Sequence, residues 1–143
     1  MAKDTFFYKK KSLNCNGRLL FLDQPVIMGI LNLTPDSFFD GGSYQNDKQL
    51  LTKAEQQLSD GATILDLGAY SSRPNAKHIT SAEELERLAP VIQLINKEFP
   101  QAILSIDTFR SEVADAAINL GAAIINDISA GNMDDNMFAT VAK

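Results

Sequence analysis

Four nearly continuous apolar runs, at residues 26–33, 62–67, 102–106 and 122–128, constrain this chain more than any other feature. A strand with one wet face alternates apolar and polar residues. Unbroken apolar runs of this length are those of parallel strands covered on both faces. The stretches between them carry helical spacing. Leu50, Leu51, Ala54 and Leu58 recur on one helix face, with Gly61 where that helix should stop. Thr80-Ser-Ala-Glu83 reads as a capping box opening a second helix, whose buried face continues through Leu85, Leu88, Ile92 and Ile95. Pro90 lies inside it and predicts a kink or a restart, because proline has no N–H to donate. Val113, Ala116, Ala117 and Leu120 form a third stripe ended by Gly121, and a fourth helix begins between Asp134 and Lys143.

Strand–helix–strand units with short connections imply parallel strands joined by right-handed crossovers. An open doubly wound sheet and part of a (β/α)8 barrel both satisfy this. A complete barrel takes about 250 residues, so the 143 residues here favour the open sheet on length alone. Ahead of the first run, Asn16-Gly17 predicts a tight hairpin over about residues 10–22. Lys9–Lys11 and Cys15 read there as a solvated strand end and a small filler.

Charge and cysteine usage narrow the function. With 18 acidic against 13 basic side chains the formal charge is −5, which argues against general affinity for nucleic acid. One cysteine makes no internal disulfide. No run approaches the roughly 20 apolar residues of a membrane span, and the N-terminus lacks a signal-peptide pattern. The expected location is the cytoplasm.

The polar residues are more telling. Asn32, Asp66, Asp107 and the pair Asn126-Asp127 stand at or near the C-terminal ends of four successive strands. In either architecture those ends line one face, where ligands bind. Taken singly, each is as well explained as a helix cap; together they converge. The following loops fit this reading. Residues 34–42 combine a turn former, two acids and a glycine pair, and 71–74 set hydroxyls beside a guanidinium suited to phosphate or carboxylate. His78 reads as an exposed loop residue. Glycine-rich nucleotide fingerprints are absent, and so is any His/Cys metal cluster.

The strings MGILNLTPDSFFDGG (28–42), GATILDLGAYSSRP (61–74), SIDTFR (105–110) and GAAIINDISA (121–130) resemble the first four strand regions of the dihydropteroate synthase family. The resemblance implies a (β/α)8 TIM-barrel fold, of which 1–143 would be a partial pterin-binding domain, with an N-terminal hairpin and barrel units from residue 26. It implies a transferase of folate biosynthesis that joins 6-hydroxymethyl-7,8-dihydropterin diphosphate to p-aminobenzoate and releases pyrophosphate. By motif, Asn32 would help hold Mg2+ and pyrophosphate. Thr34, Asp36, Ser37 and Phe38 would belong to a first mobile loop. Ser72, Arg73 and Pro74 would form part of a second loop near diphosphate and p-aminobenzoate. Asp107 and Asn126 would bind the pterin, with Asp66 organising the second loop or a charged neighbour. The residues expected at the reacting centre are Asn32, Asp36, Arg73 and Asp107.

Two departures qualify this. Ala69-Tyr70-Ser71-Ser72 replaces the commoner Gly-Glu-Ser-Thr, so any role of that acid is lost with Tyr70. The family's later motifs, which bring another pterin-binding acid, a lysine and basic anion ligands, are not in this chain. The chain alone is therefore expected to be inactive, and a full-length protein to be a homodimer, or this chain to associate through open barrel edges. The alternative is a non-catalytic pterin-binding module.

Overall fold

The computed structural model describes residues 11–33, 44–70 and 78–143. A hairpin comes first. Strands β1 (Ser12–Cys15) and β2 (Arg18–Phe21) pair antiparallel across Asn16 and Gly17, whose φ angles of 55° and 83° are those the tight turn requires. The Gly17 N–H donates to Asn14 Oδ1 at 2.9 Å. Then β3 (Ile27–Asn32), β4 (Ala62–Gly68), β5 (Ile103–Asp107) and β6 (Ile124–Asn126) form one sheet in that order, every neighbour parallel. Helices α1 (Tyr44–Ser59), α2 (Ser81–Glu98) and α3 (Ser111–Asn119) connect them, and α4 (Met137–Val141) follows β6.

One face of the sheet supplies the core. Leu31, Leu65, Leu67, Leu104 and Ile106 pack against Leu88, Ile92 and Ile95 of α2 and Val113 and Ala117 of α3, all buried. Each such side chain contributes about 1.5–3 kcal/mol, so this layer holds the sheet to its helices. The hairpin packs against the opposite face near the strand starts. Cys15 is buried there against Ile64 and Ile103, and Arg18 Nη1 donates to the Gln101 carbonyl at 2.8 Å. Burial raises the Cys15 thiol pKa, against a smaller opposing pull from Arg18.

The capping box forms as the sequence predicts. Thr80 is the N-cap of α2, and Glu83 returns the bond to the Thr80 N–H at 2.8 Å. Two expectations need correction. Of the kink or restart expected at Pro90, the restart does not occur: helix α2 runs unbroken through it. Pro90 and Glu86, whose carbonyl loses its N–H partner, are both exposed, so water can satisfy it. The fourth strand ends at Asn126, not at residue 128, and Ile128 is 83 % exposed. The Asp127 carboxylate accepts from the Ser129 and Gly131 N–H groups, both at 2.8 Å, and so turns the chain out of the ladder.

Asp134 explains why the last helix begins late. Its Oδ2 accepts the Ser111 N–H at 2.7 Å, capping α3 from a distance, while Oδ1 takes the Asn136 N–H at 3.0 Å. The N-cap residue of α3, Arg110, makes no side-chain cap of its own. These bonds, led by the one from the Ser111 backbone, hold the Asp134 pKa below its ordinary value. A depressed carboxylate stabilises the fold above the unfolded pKa of about 3.9, and that gain is lost as pH falls through the folded value. Asp134→Asn should therefore lower the melting temperature at neutral pH, with the two melting curves converging in acid. A difference that persists unchanged to low pH would exclude this cause.

Candidate functional site

The sheet register decides where the polar strand ends go. Asn32 pairs with Gly68, Gly68 with Asp107, and Asp107 with Asn126. These positions form a single row across four strands, on the face turned away from the helical core, because side chains alternate along each strand. One row deeper on the same face stand Ile30, Asp66, Ser105 and Ile124. Asn32 and Asn126 are exposed, Asp107 is partly buried and Asp66 is buried. Asp66 is thus two residues short of its strand's end, deeper than the other three.

Gly68 keeps the row open. A Cβ there would lie 3.4 Å from Asp107 Oδ2 and 3.8 Å from Asn32 Oδ1, so its absence leaves the space between two oxygen-bearing side chains unfilled. Asn126 Nδ2 donates to Asp66 Oδ2 at 3.1 Å, which ties the upper row to the lower one. Burial raises the Asp107 pKa, and the nearby carboxylates of Asp66, Glu84 and Asp127 raise it further. Asp107 is a carboxylate held where negative charge is disfavoured. It gains from any ligand that brings N–H donors or positive charge.

A cavity of about 370 Å³ opens over the Asp107–Asn126 end of this row, lined by Tyr70, Asp107, Thr108, Phe109, Asn126, Ile128 and Met133. It joins the Asp107 carboxylate, the Asn126 amide and the Tyr70 and Thr108 hydroxyls to the apolar Phe109, Ile128 and Met133, a composition suited to a flat polar heterocycle. Its outer wall is braced. Tyr70 meets Phe109 edge-on at 5.3 Å, and its hydroxyl is hydrogen-bonded to His78 Nδ1 at 2.7 Å. The Arg110 guanidinium lies 5.0 Å from the Tyr70 ring centre and 4.6 Å from that of Phe109. Arg110 itself is anchored by the buried Glu84 carboxylate and, at 2.7 Å, by the Ile79 carbonyl.

Asn32, Asp66, Asp107 and Asn126 are thus brought onto one face. Thr34, Asp36, Ser37, Phe38, Ser72, Arg73 and Pro74 lie outside the described residues. Among the described residues no group of three or more His, Cys, Asp or Glu is arranged to hold a metal ion, and no helix is long and apolar enough to cross a membrane. The sequence reading missed Tyr70 as a cavity wall, Phe109, and the Glu84–Arg110 pair. His78, read as a bland loop residue, is exposed but bonded to Tyr70. One signal was available for Glu84: it shares helical spacing with Leu88, Val91 and Ile95, and an acid in a buried stripe needs a partner.

Comparison with known proteins gives the family. The model of the pterin binding enzyme family matches residues 28–143. The dihydropteroate synthase of Streptococcus pyogenes serotype M18 is 44 % identical over 127 residues, 89 % of this chain and 47 % of that protein. A mitochondrial folate synthesis bifunctional protein of Arabidopsis thaliana is 48 % identical over 125 residues, 86 % of this chain and 23 % of its own length. The chain spans less than half the length of these relatives. The Xanthomonas albilineans dihydropteroate synthase solved with 4-aminobenzoic acid superposes with a TM-score of 0.82 at 40 % identity, over 92 % of this chain and 48 % of that one. The same organism's enzyme with 7,8-dihydropteroate gives 0.75 at 32 % identity, over 92 % and 45 %. The matched solved chains are about twice the span of this sheet, so the open-sheet reading from length gives way to part of a TIM barrel. The parallel order β3-β4-β5-β6, the polar row at its strand ends and these likenesses lead to one conclusion: the chain belongs to the pterin binding enzyme family, as a homologue of the dihydropteroate synthases.

Proposed function

We propose that this chain supplies the pterin-side half of a dihydropteroate synthase, which joins 6-hydroxymethyl-7,8-dihydropterin diphosphate to p-aminobenzoate and releases pyrophosphate. The observation that carries this is the row Asn32–Gly68–Asp107–Asn126 in continuous register. A pterin edge presents N–H donors, and a carboxylate next to an amide oxygen can accept them. Asp107, raised by burial and by its acidic neighbours, gains most from such donors. In this reading Asp107 and Asn126 hold and orient the heterocycle, and the cavity walls exclude water from it.

The diphosphate leaves as its C–O bond breaks, and the arylamine nitrogen forms the new C–N bond and releases one proton to solvent. Negative charge gathers on the leaving group, and Arg73 with Ser72 is the proposed means of holding it. Thr34, Asp36, Ser37, Phe38 and Pro74 are proposed to complete the surround. Asn32 fits a role toward Mg2+: its amide oxygen is a hard donor at an exposed strand end, beside the space Gly68 leaves. When bound, the ion would offset charge on the diphosphate oxygens. A homodimer in the cytoplasm belongs to the same proposal, although the Arabidopsis relative is named as mitochondrial.

A coupled pyrophosphate-release assay tests this. A protein holding the whole barrel with this chain as its first half should turn over, whereas the 143 residues alone should not. Tight pterin binding by the whole protein without turnover would favour a pterin-binding module instead. Turnover by the isolated chain near the whole protein's rate would overturn the expected inactivity.

A further inference from the structure

We infer that Asp66 is a positioning residue for Asn126, fixing which end of that amide faces a ligand. This rests on the proposed function, and it adds a residue whose part the sequence left open. An amide nitrogen donates and a carboxylate oxygen accepts, so a bond between them fixes which way the amide is turned. Asp66 Oδ2 takes the Asn126 Nδ2 proton at 3.1 Å, so the amide nitrogen is turned down into the sheet. The amide oxygen is the end left for a ligand, on a residue that pairs with Asp107 one strand away and lines the cavity with it. Two neighbouring acceptors then face a ligand edge, and such a pair selects a heterocycle presenting adjacent N–H donors. A flipped amide would set a donor beside the carboxylate, and the selectivity would be lost.

The burial of Asp66 gives this arrangement its rigidity. Asp66 is only 4 % exposed, and its other oxygen, Oδ1, has no hydrogen-bond partner among the described residues. Neither does the fully buried Ser105 Oγ, at the position paired with Asp66 on β5. Only one carboxylate oxygen is engaged, and its partner is Asn126. A buried acceptor with a single bond holds that bond firmly, because breaking it leaves the group wholly unsatisfied.

The test uses a whole-barrel protein containing this chain, with calorimetry of a pterin and, separately, of p-aminobenzoate. Asp66→Leu removes the acceptor and should weaken pterin about tenfold, with p-aminobenzoate unmoved. Asp66→Asn can still accept through its amide oxygen and should recover most of the loss. On an Asn126→Ala background, Asp66→Leu should add less than about twofold, since the two residues act as one unit. Additive losses, or equal losses for the Leu and Asn variants, would overturn the inference. If Asp66→Leu does not fold, hydrogen exchange of the Asn126 side-chain amide in the unsubstituted protein decides. One protected proton supports the bond, and two fast-exchanging protons sink it. That exchange is read without ligand, so a parent protein that binds no pterin counts against the proposed function and not against this pairing.

Discussion

Arg110→Ala should destabilise the protein by about 3–5 kcal/mol, a large share of what a domain of this size possesses. The reason is what remains behind. Glu84 is wholly inaccessible on α2; one of its oxygens is held by Arg110 and the other, Oε1, has no partner among the described residues. Removing the guanidinium strands a carboxylate where water cannot reach it. Substituting both partners with apolar residues of similar volume, Glu84→Met with Arg110→Met, should recover most of the loss, since the desolvation cost then disappears as well. Urea unfolding of the two variants checks this. A loss below about 1 kcal/mol for Arg110→Ala would mean that the pair behaves as an exposed one. The single variant should also loosen Tyr70 and Phe109, because the same guanidinium lies against both rings.

Asp107→Asn should do the opposite to the fold and harm the site. The folded-state pKa of Asp107 lies above its ordinary value, owing first to burial and then to Asp66, Glu84 and Asp127. A carboxylate raised in this way binds its proton more tightly folded than unfolded. It favours the fold below the ordinary pKa of about 3.9 and costs stability once both states have ionised. The amide carries no charge, so the variant should melt higher than the parent at neutral pH, and the gap should narrow in acid. Pterin binding should weaken roughly 10- to 100-fold through loss of a charged acceptor, with p-aminobenzoate affected much less. Calorimetry on a whole-barrel protein reads the binding and thermal melts read the stability. Equal losses for both ligands, or a lower melting temperature at neutral pH, would contradict the placement of Asp107.

These two residues mark how far the sequence could be read. The place of Asp107 was legible because it ends an apolar run, and the end of such a run marks the end of a strand. Asn32 and Asn126 followed by the same reasoning. The register that joins all three through Gly68 was not legible, since strand pairing is set by how whole strands settle on their helices. Arg110 was hidden for a different reason. It follows SIDTF like any charged residue at a turn, and its partner lies 26 positions away on another helix. The turn at Asp127 and the distant cap from Asp134 defeated the strand and helix boundaries alike. In each case a side chain took backbone N–H groups that a pattern of apolar residues cannot register. Pro90 shows the converse: the local rule was sound, but an exposed face made its consequence cheap.

The hairpin that seats Cys15 against Ile64 and Ile103 gives the chain a built-in reporter. It is the sole thiol in the sequence, and it is 2 % accessible. A maleimide can reach that sulfur only when the β1–β2 flap lifts. Labelling kinetics therefore clock the opening of the hairpin that covers the strand starts on the same face as the polar row, with no engineered probe, and a molecule bound at the strand ends would register as a slower clock.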